Sequence, residues 1–257
     1  MKTTKTLIRS LVTAIVVSSL TLSAQASQTY VGNGATGFGG PVGTGSVTIS
    51  DSLSGMTITL NRGAGVLNDD LVMYLDTQPG GFNDTSAFMD NADGGRTAIS
   101  GYNAGNPSQT VAYFTSGFGA DYAISIENSF IGVFGLVAGG NGSLNFLFGQ
   151  GQSGINTDPS YSITISAAQM AQIGLTAGSG QTFDLVGSLD STSAYRSDET
   201  IGTSVTVPGD GAGNAGFSNP QTFITSDIYT LAIPEPSALA LFGLSGLAAM
   251  RLFRRRK

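Results

Sequence analysis

The sequence predicts an all-β protein, an antiparallel β-sandwich or jelly roll, and three observations predict it. Short apolar runs recur along the chain, several of them alternating with Thr and Ser. Glycine is abundant, 37 residues of 257, and clusters with Asn, Asp and Pro between the runs, where turns belong. One short stretch alone reads as helix. Many short strands without long helical partners bury their apolar faces by packing sheet on sheet. A β-helix is the other arrangement such a chain permits, but no fixed-period repeat accompanies it.

The strands follow in order. Ser46-Val47-Thr48-Ile49 alternates, and Met56, Ile58 and Leu60 share one face of the next run. Asp70 to Asp76 is denser in apolar residues and predicts a central strand buried on both faces. Further strands are expected at Thr110 to Thr115, Tyr122 to Ile126, Ser129 to Val137 and Leu144 to Phe148. Tyr161 to Ile165, Gln181 to Leu189, Ser204 to Val207 and Ser226 to Ala232 complete the set. The helix is Ser166 to Ile173, opened by a capping serine and closed before Gly174. Turns fall at Pro79-Gly80-Gly81, Asp93-Gly94-Gly95, Gly139 to Gly142 and Pro208 to Gly211.

Both ends read as targeting segments. Residues 1–26 carry Lys2, Lys5 and Arg9, then an apolar stretch from Leu11 to Leu22, then Ala24-Gln25-Ala26. That is the layout of a signal peptide, which implies signal peptidase as a processing partner. A buried N-terminal helix is the plainer alternative. The body is expected at residues 27–232. Residues 233–257 combine Ile233-Pro234-Glu235-Pro236-Ser237, an apolar run from Ala238 to Met250, and Arg251-Leu252-Phe253-Arg254-Arg255-Arg256-Lys257. The run is shorter than the ~20 residues that cross a bilayer. Leu252 and Phe253 extend it if Arg251 snorkels. The expectation is a short C-terminal membrane helix, transiently inserted in the inner membrane, with its basic end in the cytoplasm.

Pro234, Glu235 and Pro236, the apolar run and the basic end at Arg254, Arg255 and Arg256 resemble the PEP-CTERM sorting signal of Gram-negative bacteria. An ordinary tail anchor is the alternative reading. The resemblance covers about a tenth of the chain. It implies recognition by an exosortase, removal of the tag, and delivery to the cell surface or outside. It also implies the company of exopolysaccharide and biofilm. Within the body, the strand ending at Asp76 and the loop Thr77 to Asp84 resemble the sandwich modules of carbohydrate-binding domains, without matching any of their ligand residues.

Composition narrows the chemistry. There is no Cys and no His, which removes disulfides, thiol and Ser-His-Asp catalysis, and Cys- or imidazole-built metal sites. Only Arg62, Arg96 and Arg196 lie between the two termini, against nearly all the acids. A body this acidic offers nucleic acid no positive footprint. Asp84, Asp90, Asn91 and Asp93 cluster before Gly94-Gly95, so they are candidate ligands of a calcium cage. Their spacing is not that of a twelve-residue EF-hand loop. No other cofactor is expected. Asp76, Asp121, Glu127 and Asp184 are candidate carboxylate pairs for glycoside hydrolysis, set against a plain reading as solvated strand-end acids. Tyr74, Tyr102, Tyr113, Phe118, Tyr122, Tyr161 and Tyr195 are candidate sugar-stacking rings or core. Arg196 is expected to make a structural ion pair, with an acidic sugar as its alternative partner. The expected function is an exported, non-catalytic surface or matrix protein beside exopolysaccharide, with a polysaccharide hydrolase as the alternative.

Mature protein should begin near Ser27 and lack everything after the Pro-Glu-Pro element. Intact mass of the surface or medium fraction reads this directly. A mature mass that retains Arg251 to Lys257 refutes it. Replacing Glu235, or deleting residues 254–257, should leave precursor in the membrane.

Overall fold

The computed structural model describes residues 25–105, 109–202, 205–206 and 220–234. The expected signal peptide up to Ala24 and the expected C-terminal membrane helix lie outside the described residues. Among the described residues, no helix is long and apolar enough to cross a membrane. Residues 25–232 form one compact unit. The fold is all-β and mostly antiparallel, in three sheets.

The first sheet has four strands in the order β1 (Ala26–Val31), β2 (Ser46–Ser52), β3 (Gly55–Asn61) and β9 (Ser160–Ser166). Its alternation is the one written in the sequence. Val47, Ile49, Met56, Ile58, Leu60, Tyr161, Ile163 and Ile165 point inward and are buried. Thr and Ser face out and pair across strands, as in Thr59 with Ser162 at 2.9 Å and Thr29 with Thr48 at 3.0 Å.

The second sheet runs β11 (Arg196–Ile201), β10 (Thr182–Asp190), β4 (Asp70–Asp76), β6 (Tyr122–Ile126), β7 (Phe130–Gly135) and β8 (Asn145–Gly151). β14 (Asp227–Thr230) also pairs with β10. β4 occupies the middle, as its dense apolar run predicts. Leu71, Met73 and Leu75 join an apolar cluster shared with the first sheet. Val72 and Tyr74 enter a second cluster on the other face, with Phe88, Ile99, Phe114 and Phe118. Each fully buried Val, Leu, Ile or Phe there contributes about 1.5–3 kcal/mol.

That second cluster is closed by elements the sequence shows less clearly. A third sheet, β12 (Val205–Thr206), β13 (Gln221–Phe223) and β5 (Ala112–Tyr113), contains a parallel pair between β13 and β5. The strand expected over Thr110 to Thr115 is only β5. A second helix, α1 (Gly94–Ser100), stands where a turn was expected, so the chain has more helix than the single segment read from sequence. Asp93 caps it by accepting from Arg96 N–H at 2.9 Å, and Gly101 ends it at φ 64°. Gly95 lets it lie close to β6, because a Cβ there would sit 3.1 Å from Ser125 Oγ. The expected helix is α2 (Ala167–Gln172), with Ser166 and Gln169 forming a capping box.

Polar groups hold the layers in register. Arg196 is fully buried. It donates to Asp190 at 2.7 Å, to the Thr110 carbonyl at 2.8 Å and to the Ile99 carbonyl at 3.1 Å. This is the structural ion pair expected of Arg196, with Asp190 of β10 as its acid. Burial pushes the Asp190 carboxyl up, and the guanidinium opposes that push. Burial alone would lower Arg196, but Asp190 and Tyr74 hold it above its ordinary range. Asp70 lacks such a cation. It accepts from Ser125 Oγ at 2.6 Å, and burial, aided by Glu127, Asp69 and Asp190, pushes its carboxyl up to about 7.

Two measurements check this interior. Arg196→Met strands Asp190 in a dry site and should cost about 3–5 kcal/mol in a urea melt. The double variant with Asp190→Asn should recover part of that loss. A cost below 1 kcal/mol would mean the pair is not buried as described. For Asp70 the folded-state pKa is raised, so its contribution is full below about pH 4 and is lost as pH rises through about 7. Asp70→Asn should therefore flatten the fall in stability across that window. Above pH 7 it should be the more stable protein, by a margin on the order of 4 kcal/mol if no relaxation intervenes. Parallel pH profiles for both proteins would contradict the assignment.

Candidate functional site

The calcium candidates do not assemble a cage. Asp84 accepts from the backbone and hydroxyl of Ser86, closing its own turn. Asp90 is buried and accepts from the backbone N–H groups of Ala92, Gly142 and Leu144, at 3.1, 2.7 and 2.9 Å. Arg96 Nε stands 3.4 Å from it. Asp93 caps α1 and pairs with Arg96. Asn91 sits half-buried between them. Among the described residues, no three acids come together as a metal site. The spacing that suggested a cage reflects a loop and a helix cap, each using its carboxylate separately.

The candidate acid pairs divide between the two ends of β6. Asp76 lies opposite Asp184 across β4 and β10, and Asp121 is next to them. Asp76 accepts from Gly119 N–H at 2.8 Å, and Asp184 from Ser226 Oγ at 3.0 Å. Asp121 accepts from the N–H groups of Thr77 and Gln78, at 3.0 and 2.9 Å. Burial, then Asp121 and Asp184, raises the Asp76 carboxyl, against the pull of Gly119 N–H. Glu127 follows the far end of β6 and accepts from Ser129 Oγ at 3.1 Å. It is not part of the Asp76 group.

Most of the candidate rings are core. Tyr74, Tyr161 and Phe118 are buried, and Tyr74 donates to the Ile99 carbonyl at 2.6 Å. Tyr113 is exposed, Tyr102 and Tyr195 half-buried. Tyr122 is the ring placed at a concave surface. A cleft of about 420 Å³ opens beside it, lined by Gln78, Phe82, Asp121, Asn145 and Gln172 among others. Its walls come from the loops after β4 and before β6, from the start of β8 and from the end of α2. Gln78 Nε2 donates to the Tyr122 hydroxyl at 2.9 Å, which ties the ring to the loop after β4. Three side-chain amides, one carboxylate and two rings converge here. Sequence reasoning picked Asp121 and Tyr122 but missed the amides. Gln78, in a Pro-Gly loop after a central strand, was the available signal.

The exit of the chain from the body is also built. Asp51 is buried. It accepts from the Tyr229 hydroxyl at 2.7 Å and from Ala232 N–H at 3.0 and 3.2 Å. Ile233 is then 65% exposed, and Pro234 is exposed too. Glu235, Pro236, Arg254, Arg255 and Arg256 lie outside the described residues.

Residues 232–257 match the PEP-CTERM protein-sorting motif. No curated protein and no solved structure matches the chain. The motif makes exosortase, with signal peptidase before it, the processing partners. It marks a membrane-associated precursor destined for the cell surface or the extracellular space.

Proposed function

We propose that the mature protein is a non-catalytic component of the cell surface or extracellular matrix that binds polysaccharide in the cleft beside Tyr122. In this reading the two larger sheets form a β-sandwich, and the cleft lies at one end of it. The observation that carries the reading is the chemistry of the cleft. Sugars present hydroxyl pairs that planar amides and carboxylates bracket, and C–H faces that rings cover. Gln78, Asn145, Gln172 and Asp121 supply the first kind of group, Tyr122 and Phe82 the second. The sorting motif supports it by sending the protein to where such polymers lie.

The second reading, a polysaccharide hydrolase, rests on one observation. Asp76, Asp121 and Asp184 gather at the same end as the cleft, and the Asp76 carboxyl is raised. Glycoside hydrolysis uses a pair of carboxyl groups, one of which serves as the acid. Against it, each of the three carboxylates accepts hydrogen bonds that hold turns.

One incubation with the producing strain's own exopolysaccharide separates the readings. Co-sedimentation without shorter fragments, weakened about tenfold by Gln78→Ala or Gln172→Ala, is expected. Fragment release that Asp76→Asn abolishes would establish the hydrolase instead. Neither binding nor release would remove polysaccharide as the partner.

A further inference from the structure

Val186, Ser188 and Asp190 share one face of β10, and Val186 lies in the second apolar cluster. Gln221 and Phe223 share one face of β13 in the third sheet, and Phe223 belongs to the same cluster. Beyond those two apolar residues the strands bring Ser188, Asp190 and Gln221 together, all fully buried. Ser188 Oγ lies 3.1 and 3.0 Å from the two oxygens of Asp190, and 3.2 Å from Gln221 Oε1. Gln221 Nε2 donates to the Ser197 carbonyl at 2.9 Å, which fixes the amide with its oxygen toward the serine.

A hydroxyl has one proton to give, and three acceptor oxygens surround this one. Arg196 serves Asp190 Oδ2 at 2.7 Å. Among the described residues, Asp190 Oδ1 and Gln221 Oε1 then compete for the single hydroxyl proton. A serine with a purely structural role is poorly matched to that setting, because an unmet acceptor in a dry site is costly. The setting suits an activated nucleophile, with a carboxylate on one side of the hydroxyl and a carbonyl group on the other. A C=O bond is about 1.23 Å long, so Gln221 Cδ lies within about 4.4 Å of Ser188 Oγ.

We propose that Ser188 and Gln221 become joined by an intramolecular ester, with Asp190 as the base that activates the serine. The Oγ–Cδ bond forms and the Cδ–Nε2 bond breaks. The hydroxyl proton passes to Asp190 and from there to the departing nitrogen, which leaves as ammonia. The Ser197 carbonyl, already bonded to Nε2, steadies the charge that grows on that nitrogen. No oxidant or cofactor is consumed, and dilution of the ammonia draws the exchange forward. Burial makes Asp190 a stronger base than a solvated carboxylate, although Arg196 opposes that rise. Exclusion of water then protects the ester from hydrolysis. The bond ties the third sheet to β10 and closes the chain between residues 188 and 221, as a disulfide does in chains that have cysteine.

The intact mass of the purified mature protein reads the bond. It should fall below the mass of its sequence by about 17 Da, one ammonia. Trypsin cleaves after Arg196, between the two residues, so digestion of the denatured protein should leave the peptide ending at Arg196 joined to the one that follows. Mild hydroxylamine, which cleaves esters and spares amides, should part them. Ser188→Ala should restore the full mass and give separate peptides. Asp190→Asn should slow the linkage about a hundredfold, read as the unlinked fraction over time. Full mass with separate peptides in the wild type would overturn the inference, whether or not any variant folds. So would a mass deficit that survives Ser188→Ala, a junction that resists hydroxylamine, or linkage at the wild-type rate in Asp190→Asn.

Discussion

The guanidinium of Arg196 ties together segments that are far apart in the chain. It holds Asp190 of β10 and the carbonyls of Thr110, ahead of β5, and Ile99, in the last turn of α1. The Ile99 carbonyl also accepts from Tyr74 of the central strand. A short helix leaves its last carbonyls without intrahelical partners, and burial makes that costly. Arg196 and Tyr74 meet that need for α1. With α1 and the Thr110 strand end fixed, the second apolar cluster has a lid, and β4 can be apolar on both faces. Gly101 fits the same constraint, because a Cβ there would stand 2.2 Å from the Thr110 carbonyl and 2.9 Å from the guanidinium.

Cations are scarce elsewhere, and the buried acids turn to backbone amides instead. Glu199 is buried and accepts four: Phe38 and Gly40 on one oxygen, at 2.7 and 2.9 Å, Val42 and Gly43 on the other, both at 3.1 Å. Asp90 accepts three, Asp121 two, and Asp51 holds Ala232. Hydrogen bonds to a charged group contribute about 1.5–3 kcal/mol each, and several on one carboxylate offset the loss of its water. Glycine-rich loops suit this use, since N–H groups converge most easily where few side chains intervene. Residues 37–45 wrap Glu199 in this way. A chain without cysteine thus gains loop order that other exported proteins draw from disulfides.

This explains which parts of the fold were legible in the sequence. β4 and β6 could be read to the residue, because apolar density and turn residues bound them. Met56, Ile58 and Leu60 showed their face by alternation, and Ser166 showed its helix by its cap. β11 had no such signal. Arg-Ser-Asp-Glu-Thr-Ile looks like a polar loop, yet Arg196, Ser197, Glu199 and Thr200 are buried. Their partners lie far away in sequence, and nothing local displays them. α1 was hidden by Gly94 and Gly95, whose poor helix propensity was overridden by the Asp93 cap and by burial of Ala98 and Ile99. The cleft was half legible: Asp121 and Tyr122 belong to a readable strand start, whereas Gln172 and Asn145 reach it only through tertiary packing.

The boundary between body and sorting tail has a physical basis as well. Tyr229 and Ala232 are bound to Asp51, a residue of the β2 strand in the middle of the first sheet. The last fixed residue of the body is thus fastened to its core, and one residue later the side chain is solvent-exposed. Strand β14, which pairs with β10, lies ahead of that anchor in the chain. Proline at 234 adds to the separation by denying an N–H to any strand or helix that would continue from β14. The hydrogen bond of Ala232 N–H to buried Asp51 thus fixes the last residue of the compact unit where the matched sorting motif begins.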